Sequence, residues 1–145
     1  MSTTKDLTRE PPRSPRQRIK GYALMARMID KGRATISGTG GGYHFNCPLD
    51  KMLFDFKGIN SDEVHRLLER GATDEQIADW IDTHGTPKTP EEVSTWSARV
   101  ETYKPAEDPE KKEWFEGECK PLGLDPATTT LFDYLETDDR VSYSK

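Results

Sequence analysis

Apolar residues recur along this chain at spacings of three and four positions, which is the period of an amphipathic α-helix. The first such stretch places Ile19, Tyr22, Ala26 and Ile29 on one face, and Gly32 follows it as a natural helix end. Six further stretches with this period follow toward the C-terminus. The pattern predicts helices over residues 15–31, 48–57, 61–70, 73–84, 90–103, 109–120 and 126–136.

Helix starts are marked by steps in which a residue that suits a helix cap precedes a proline. Proline is favoured at the first helical position because its missing N–H would have no partner inside the helix and its φ is already helical. The chain contains Ser14-Pro15, Cys47-Pro48, Thr89-Pro90, Asp108-Pro109 and Asp125-Pro126. These steps support five of the predicted helix starts.

The stretch between the first two predicted helices lacks a helical period. Residues 34–36 and 43–45 are predicted as two short strands, with the glycine-rich residues 37–42 as the turn between them. The predicted fold is therefore all-α, a compact bundle of six or seven short helices, with room for one small β-hairpin near residues 34–45.

Composition narrows the class of protein further. Apolar residues make up 32% of the 145 residues, and no apolar run reaches the length of about 18 residues that a membrane span needs. The N-terminus has no apolar signal segment, and two cysteines cannot form a disulfide framework. We expect a soluble cytoplasmic protein with a basic N-terminal arm over residues 1–13 and a single helical domain over residues 14–145.

Charge is unevenly distributed along the chain. Residues 1–36 carry nine basic and three acidic side chains, whereas residues 37–145 carry twelve basic and twenty-three acidic ones. Two interpretations follow: a basic arm that binds an anionic partner, or a basic segment that lies against the acidic remainder of its own fold. We favour the second.

The segment 43–50 is the most site-like stretch because it holds an imidazole, a thiol and a carboxylate within eight residues. Cys47 precedes Pro48 and so occupies a predicted helix N-cap, where unpaired N–H groups favour a thiolate. This suggests Cys47 as a nucleophile with His44 as its base. The alternative is a cysteine that only packs in the core.

The same segment reads His-x-x-Cys-x-x-Asp, through His44, Cys47 and Asp50. A closed zinc site needs four ligands, and the chain has no CxxC or HxxxH pair to complete the set. We therefore predict no metal and no cofactor, and interpret Asp50 as a first-turn carboxylate favoured by the helix dipole.

Basic residues around the start of the first predicted helix could hold an anion. Arg13 and Arg16 flank Ser14-Pro15, where free helix N–H groups are expected, and Arg33 follows the same helix. In this hypothesis the pocket lies beside segment 43–50, Tyr43 and His44 supply hydrogen bonds, Asp50 lines the site, and the glycine-rich loop is a lid. The alternative is that these arginines pair with the protein's own carboxylates.

Nucleic acid is excluded as a partner. Residues 61–81 resemble a helix-turn-helix, but the second helix carries four carboxylates, which would repel a phosphate backbone. The glycine-rich loop lacks the lysine and the strand–loop–helix setting of a phosphate-binding loop.

A family resemblance rests on a combination of short motifs. The chain contains Arg13-Ser14-Pro15, Ile29-Asp30-Lys31, Arg33-Ala34, Gly38, Tyr43, Cys47-Pro48-Leu49-Asp50, Phe56 and Gly58. Together they resemble an uncharacterised bacterial family, the domain of unknown function 5069, over residues 7–85. The resemblance implies a compact single-domain bacterial protein and carries no activity. The family pattern and the site-like residues coincide at Asp30, Arg33 and the block 47–50.

Three functions remain open from the sequence. The leading hypothesis is a module that binds an anionic small molecule or peptide through the arginines. The alternatives are an enzyme that uses Cys47 as nucleophile, and a protein–protein interaction module that presents its acidic half to a basic partner. The sequence leaves the oligomeric state unknown.

Overall fold

The all-α fold expected from the sequence is confirmed. A computed structural model of the protein describes residues 4–143, and these form seven α-helices and no β-strand. The helices are α1 (Met25–Ser37), α2 (Pro48–Lys57), α3 (Ser61–Glu69), α4 (Asp74–Thr83), α5 (Pro90–Thr102), α6 (Lys112–Cys119) and α7 (Leu131–Ser142), with short 3-10 turns at Pro105–Glu107 and Lys120–Leu122.

The first predicted helix was wrong at its start, because α1 begins at Met25 rather than at residue 15. Lys20, Gly21 and Leu24 have positive φ values, which end any helix there. Ser97, a fully buried residue of α5, accepts a hydrogen bond from the N–H of Ala23 at 2.9 Å and donates one to the carbonyl of Gly21 at 2.8 Å. A side chain distant in sequence therefore holds this segment in a turn.

The predicted helix end and the predicted β-hairpin were also wrong. Helix α1 continues through Gly32, where a Cβ atom would clash with the side chains of Leu68 and Phe45, so this glycine permits close packing rather than a helix end. The helix ends at Gly38, whose φ of 75° is the left-handed conformation typical of a C-cap. Residues 34–36 are thus helical, and residues 43–45 form no strand.

Two later helices begin beyond the prolines that were predicted to start them. Helix α6 begins three residues after Pro109, and α7 begins five residues after Pro126. The carboxylates of Asp108 and Asp125 instead accept hydrogen bonds from backbone N–H groups two residues on, which closes local turns. Helix α7 is capped by Thr130.

Helix α1 lies at the centre of the fold, and every residue from Met25 to Ala34 is buried. Its apolar side chains pack in the largest core cluster, with residues from α2, α3, α4 and α5. Two smaller clusters surround Phe132 and Phe115 in the C-terminal half. No helix within the described residues is long and apolar enough to cross a membrane.

Charged side chains on α1 are buried and paired with carboxylates or cations from other elements. Arg27 is 2% exposed and forms a two-armed pair with Asp139 of α7, at 2.7 and 3.2 Å. Asp30, Lys31 and Arg33 are also buried, and each has an oppositely charged partner outside α1. Partners are required here because an unpaired buried charge costs several kcal/mol.

The chain before α1 lies against the helices. Leu7 is 2% exposed, its N–H donates to the carbonyl of Thr39, and its own carbonyl accepts from the Tyr143 hydroxyl. The division into an arm over residues 1–13 and a domain over residues 14–145 stays a prediction, and residues 1–3 and 144–145 lie outside the described part of the chain.

Replacing Arg27 by methionine is expected to lower the free energy of unfolding by about 3–5 kcal/mol, because Asp139 would remain buried without its cation. Urea unfolding followed by circular dichroism measures the change. The matched control is Arg140→Met on the exposed surface of α7, which should cost less than about 1 kcal/mol. Equal losses in the two variants would contradict a structural role for the buried pair.

Candidate functional site

A buried lysine, a buried carboxylate and a half-buried thiol meet where α2 begins. Cys47 is the N-cap residue of α2, and its side chain makes no capping hydrogen bond. The Lys31 ammonium donates a hydrogen bond to the Cys47 sulfur at 3.1 Å and forms an ion pair with Asp50 at 2.8 Å. The side chains of Lys31 and Asp50 are 3% and 1% exposed. The ammonium is therefore held between the carboxylate and the sulfur.

Asp50 also shapes the loop that carries the thiol. Its second carboxylate oxygen accepts a hydrogen bond at 2.9 Å from the N–H of Asn46, a residue with a left-handed φ of 61°. One carboxylate thus orients Lys31 and holds the backbone just before Cys47. This explains why Asp50 is buried although it lies in the first turn of a helix, where a carboxylate is ordinarily solvated.

Aromatic side chains pack beside this cluster. Phe45 contacts Phe54 edge-on, with ring centroids 6.0 Å apart, and lies 5.8 Å from the ring of His65. His65 is paired with Glu69 of its own helix. His44 is exposed, and within the described residues no imidazole forms a hydrogen bond with the Cys47 sulfur. Lysine rather than histidine is the basic group beside the thiol.

Sequence reasoning missed Lys31 as a member of this cluster. The first helix was predicted to end at Lys31, which would have left its side chain at a helix terminus. One sequence feature could have indicated its importance: Lys31 belongs to the motif Ile29-Asp30-Lys31, which is part of the family resemblance. Only the continuation of α1 to Ser37 shows that this position is fully enclosed.

Arg13 and Arg33 are brought together by one carboxylate. The Arg13 guanidinium binds Asp30 at 3.0 Å and Asp74 at 2.9 Å, and Arg33 binds the other oxygen of Asp74 at 2.7 Å. A second Arg33 nitrogen donates to the carbonyl of Ala72 at 3.1 Å. These two predicted anion-binding residues therefore already have anionic partners within the chain.

Arg16 lies in a different place. Its guanidinium binds Asp133 and Glu136 of α7, at 2.5 and 2.6 Å. The three arginines are thus not one cluster, and each contacts carboxylates of the same chain. This arrangement supports the interpretation in which the basic N-terminal third pairs with the acidic remainder of the fold.

Tyr43 belongs to the network around Arg27 rather than to the thiol cluster. Its hydroxyl donates to Asp139 at 2.6 Å, and Arg27 lies 5.5 Å from the centre of its ring. Burial raises the pKa of Tyr43 well above its usual range, and the Asp139 carboxylate raises it further. The phenol is therefore a hydrogen-bond donor that helps to satisfy Asp139.

The glycine-rich loop lies against the N-terminal segment. Gly41 has a φ of 57°, and a Cβ atom there would approach the Leu7 carbonyl at 3.0 Å. Among the described residues, no group of three His, Cys, Asp or Glu side chains is arranged to hold a metal ion. His44, Cys47 and Asp50 accordingly do not form such a set.

These features describe an all-α protein whose central helix carries paired buried charges. The chain matches a family described as a domain of unknown function, DUF5069, over residues 9–141, and it belongs to that family. The match reaches well beyond residues 7–85, where the sequence motifs carry the resemblance, and includes the C-terminal helices. Comparison with curated proteins finds no match.

Asp74 is expected to make the stability of the protein sensitive to acid. Burial raises the pKa of this carboxyl, but the hydrogen bond and charge of Arg13 and the charge of Arg33 outweigh burial and leave it below its usual value. The carboxylate therefore stabilises the fold above the unfolded-state pKa of about 3.9, and this contribution is lost as pH falls through the lower folded-state pKa.

The destabilisation caused by Asp74→Asn, measured by urea unfolding, should be largest near neutral pH and should shrink below about pH 4. Asp79→Asn is the matched control on the same helix, because Asp79 forms an exposed ion pair with Lys20. A difference between wild type and Asp74→Asn that stays constant down to about pH 3 would count against this assignment.

Proposed function

We propose that Cys47 is a reactive thiol that attacks an electrophilic substrate, with Lys31 as the group that stabilises its anionic form. The observation that carries the proposal is the 3.1 Å hydrogen bond from the buried Lys31 ammonium to the Cys47 sulfur. The thiolate, not the thiol, is the nucleophile, and an adjacent cation is one of the environments that favour it.

Two further features support a nucleophilic role for Cys47. The sulfur lies at the N-terminus of α2, where unpaired backbone N–H groups carry partial positive charge. The ion pair with buried Asp50 keeps the Lys31 ammonium, which is itself 3% exposed, within hydrogen-bond distance of the sulfur. Cys119, by contrast, is fully buried, and burial raises the pKa of its thiol. Of the two cysteines, we therefore expect only the half-buried Cys47 to meet a reagent from solvent in the folded protein.

Substrate access and proton transfer follow from exposure. Cys47 is half-buried, and its neighbours His44 and Pro48 are exposed, so a substrate would approach from the solvent side of the α2 N-terminus. His44 remains the predicted proton-transfer partner, because its exposed ring can turn toward a bound substrate. Lys31 has a positioning and electrostatic role, since Asp50 already occupies its other side.

Anion binding by Arg13, Arg16 and Arg33, with Tyr43 and Asp50 as further ligand contacts, is a second proposal from the sequence. Among these three arginines, Arg16 has the most exposed ion pairs, with side-chain exposures of 36% for the arginine and 46% for Asp133. Exposed pairs contribute little and exchange readily with a ligand. Of the three arginines, we therefore assign Arg16 as the one that an anionic ligand can reach. An interaction surface on the acidic half is the third proposal.

We also propose a reducing, cytoplasmic location in a bacterium. Cys47 and Cys119 are both free thiols, and free cysteines are typical of reducing compartments. The bacterial source is what the family resemblance implies.

Alkylation by iodoacetamide, followed by intact-protein mass spectrometry, tests the thiol proposal. Wild type should take up one label rapidly at about pH 7, and Cys47→Ser should take up none while folded, because Cys119 is fully buried. Lys31→Met should slow labelling about tenfold or more, and Lys31→Arg should restore most of the rate. Cys119→Ala is the matched control and should label like wild type.

Loss of Lys31 leaves Asp50 buried and unpaired, so the fold of Lys31→Met must be verified by circular dichroism. If that variant unfolds, the pH dependence of the wild-type labelling rate tests the thiol proposal instead. A labelling rate near its plateau at about pH 7 supports the proposal, whereas a rate that rises only above about pH 8, as for an ordinary thiol, overturns it.

A further inference from the structure

A cleft of about 260 Å³ lies between the turn at residues 18–21 and the start of α5. We propose that this cleft binds a small phosphate-bearing molecule, of the size of a phosphate ester of a short hydroxylated carbon chain. The site is separate from the thiol cluster and from the arginines discussed above, and it does not depend on the proposed chemistry of Cys47. Its lining includes Arg18, Lys20, Asp82, Lys88, Val93 and Ser94.

Lys88 supplies a cation that makes no direct ion pair, although its charge lowers the pKa of the Glu92 carboxyl. Within the described residues no carboxylate lies within ion-pair distance of its ammonium. The ammonium instead lies 4.6 Å from the centre of the Phe56 ring, which is stacked on Trp96 with centroids 4.7 Å apart. The aromatic pair holds Lys88 at the cleft without neutralising it. An anionic ligand would provide the direct ion-pair contact that Lys88 does not make with Glu92 or Asp82.

The other two cations of the cleft have partners that a ligand can replace. Arg18 binds Glu101 at 2.9 Å, and Lys20 binds Asp79 at 2.7 Å. The side chains of Lys20 and Asp79 are 46% and 65% exposed. An ion pair this exposed contributes little to stability, so Lys20 can turn toward a bound phosphate. The side chains of Arg18 and Glu101 are 34% and 27% exposed, so a ligand replaces that pair at a greater cost. Arginine also offers a planar fork of N–H donors that matches two phosphate oxygens.

A further positive charge lies behind the wall of the cleft. Lys57 is fully buried, and its ammonium donates to the carbonyls of Asp82 and Thr86 at 3.2 and 2.9 Å. Burial lowers the pKa of Lys57, the Asp82 carboxylate raises it, and the charge of Lys88 lowers it. Lys57 and Lys88 are therefore close enough to repel each other, and an anion beside Lys88 relieves this repulsion.

The remaining lining residues indicate what else the ligand carries. The exposed ring of Pro90 offers the cleft an apolar surface on which a short carbon chain can lie, and Val93, which is 4% exposed, lies beneath it in the core. The Asp82 carboxylate accepts a hydrogen bond from the Tyr22 hydroxyl at 2.9 Å and retains acceptor capacity for a ligand hydroxyl. The Ser94 hydroxyl is exposed and can donate to a phosphate oxygen. A ligand with both an anionic group and a hydroxyl fits this set.

Two neighbouring clefts lack this balance of charge. One, of about 440 Å³, shares Arg18 and Lys20 but is also lined by the carboxylates of Glu75 and Asp79. The other, of about 490 Å³ beside Trp80, is lined by Glu63 and by no lysine or arginine. Of these three clefts, only the one beside Lys88 has an excess of cations.

Isothermal titration at constant ionic strength, with inorganic phosphate, glycerol phosphate and succinate as probes, tests the proposal. Wild type should bind glycerol phosphate in a saturable way, more tightly than inorganic phosphate, because only the ester offers a hydroxyl and a carbon chain. Lys88→Met should weaken binding about tenfold or more, since it removes a charged partner of the phosphate. Lys51→Met, an equal charge change at an exposed position on α2, should leave binding unchanged.

A second variant separates binding from stability. Ser94→Asp leaves the stacking of Lys88 on Phe56 intact but puts a carboxylate in the lining, and it should abolish binding. Thr95→Asp, at the next exposed position of α5 and outside the lining, should bind like wild type. The proposal is overturned if no phosphate probe binds saturably, if succinate alone binds, or if Lys88→Met and Lys51→Met weaken binding equally.

Discussion

Charged side chains on a helix whose first ten residues are buried are the constraint on which this fold depends. Helix α1 is enclosed from Met25 to Ala34, yet it carries Arg27, Asp30, Lys31 and Arg33. Each buried charge costs several kcal/mol unless a partner of opposite sign reaches it. The partners come from the N-terminal segment, from α2, from α4 and from α7. The ion pairs of the α1 side chains therefore constrain the positions of four other parts of the chain.

The same constraint creates the candidate site. Lys31 needs a counter-charge, and Asp50 supplies it from the first turn of α2. Because Asp50 lies in the first turn of α2, its ion pair with Lys31 places the N-terminus of α2 beside this lysine. Cys47, the N-cap residue, therefore lies within hydrogen-bond distance of the ammonium. The thiol environment is thus a consequence of satisfying a buried charge. The buried ion pair with Asp50 and the hydrogen bond to the Cys47 sulfur therefore share one lysine.

The excess of acidic residues in the C-terminal half has a related explanation. Asp133, Glu136 and Asp139 of α7 bind Arg16 and Arg27. The family match over residues 9–141 includes this helix. The acidic half is therefore in part an internal counter-charge for the basic N-terminal third, and what appears in the sequence as two regions of opposite sign is one ion-paired unit in the fold.

Local signals predicted several helices well. Helix α2 has the bounds predicted from Cys47-Pro48 and Gly58, and α5 begins at Pro90 with the capping box formed by Thr89 and Glu92. The start of α5 depends on hydrogen bonds between residues three positions apart, and that of α2 on a proline at its first position, so neighbouring residues suffice to specify both. The predicted start of the first helix was wrong because Ser97, more than seventy residues away, holds that segment in a turn.

The candidate site was likewise predictable only in those features that depend on neighbouring residues. Cys47 and Asp50 lie three residues apart in sequence, and their place at a helix N-terminus follows from the Cys-Pro step. The importance of Lys31 and the internal pairing of Arg13, Arg16 and Arg33 required the fold.

The sequence by itself determined the all-α class, most helix starts and the location of the thiol, because short-range capping and periodicity encode them. Only the tertiary structure decided which charges pair, that α1 is enclosed on all sides from Met25 to Ala34, and that the apolar fraction of 32% is enough for a core. The physical reason is that ion pairing and burial depend on distances between residues that are far apart in the chain, which no local pattern records.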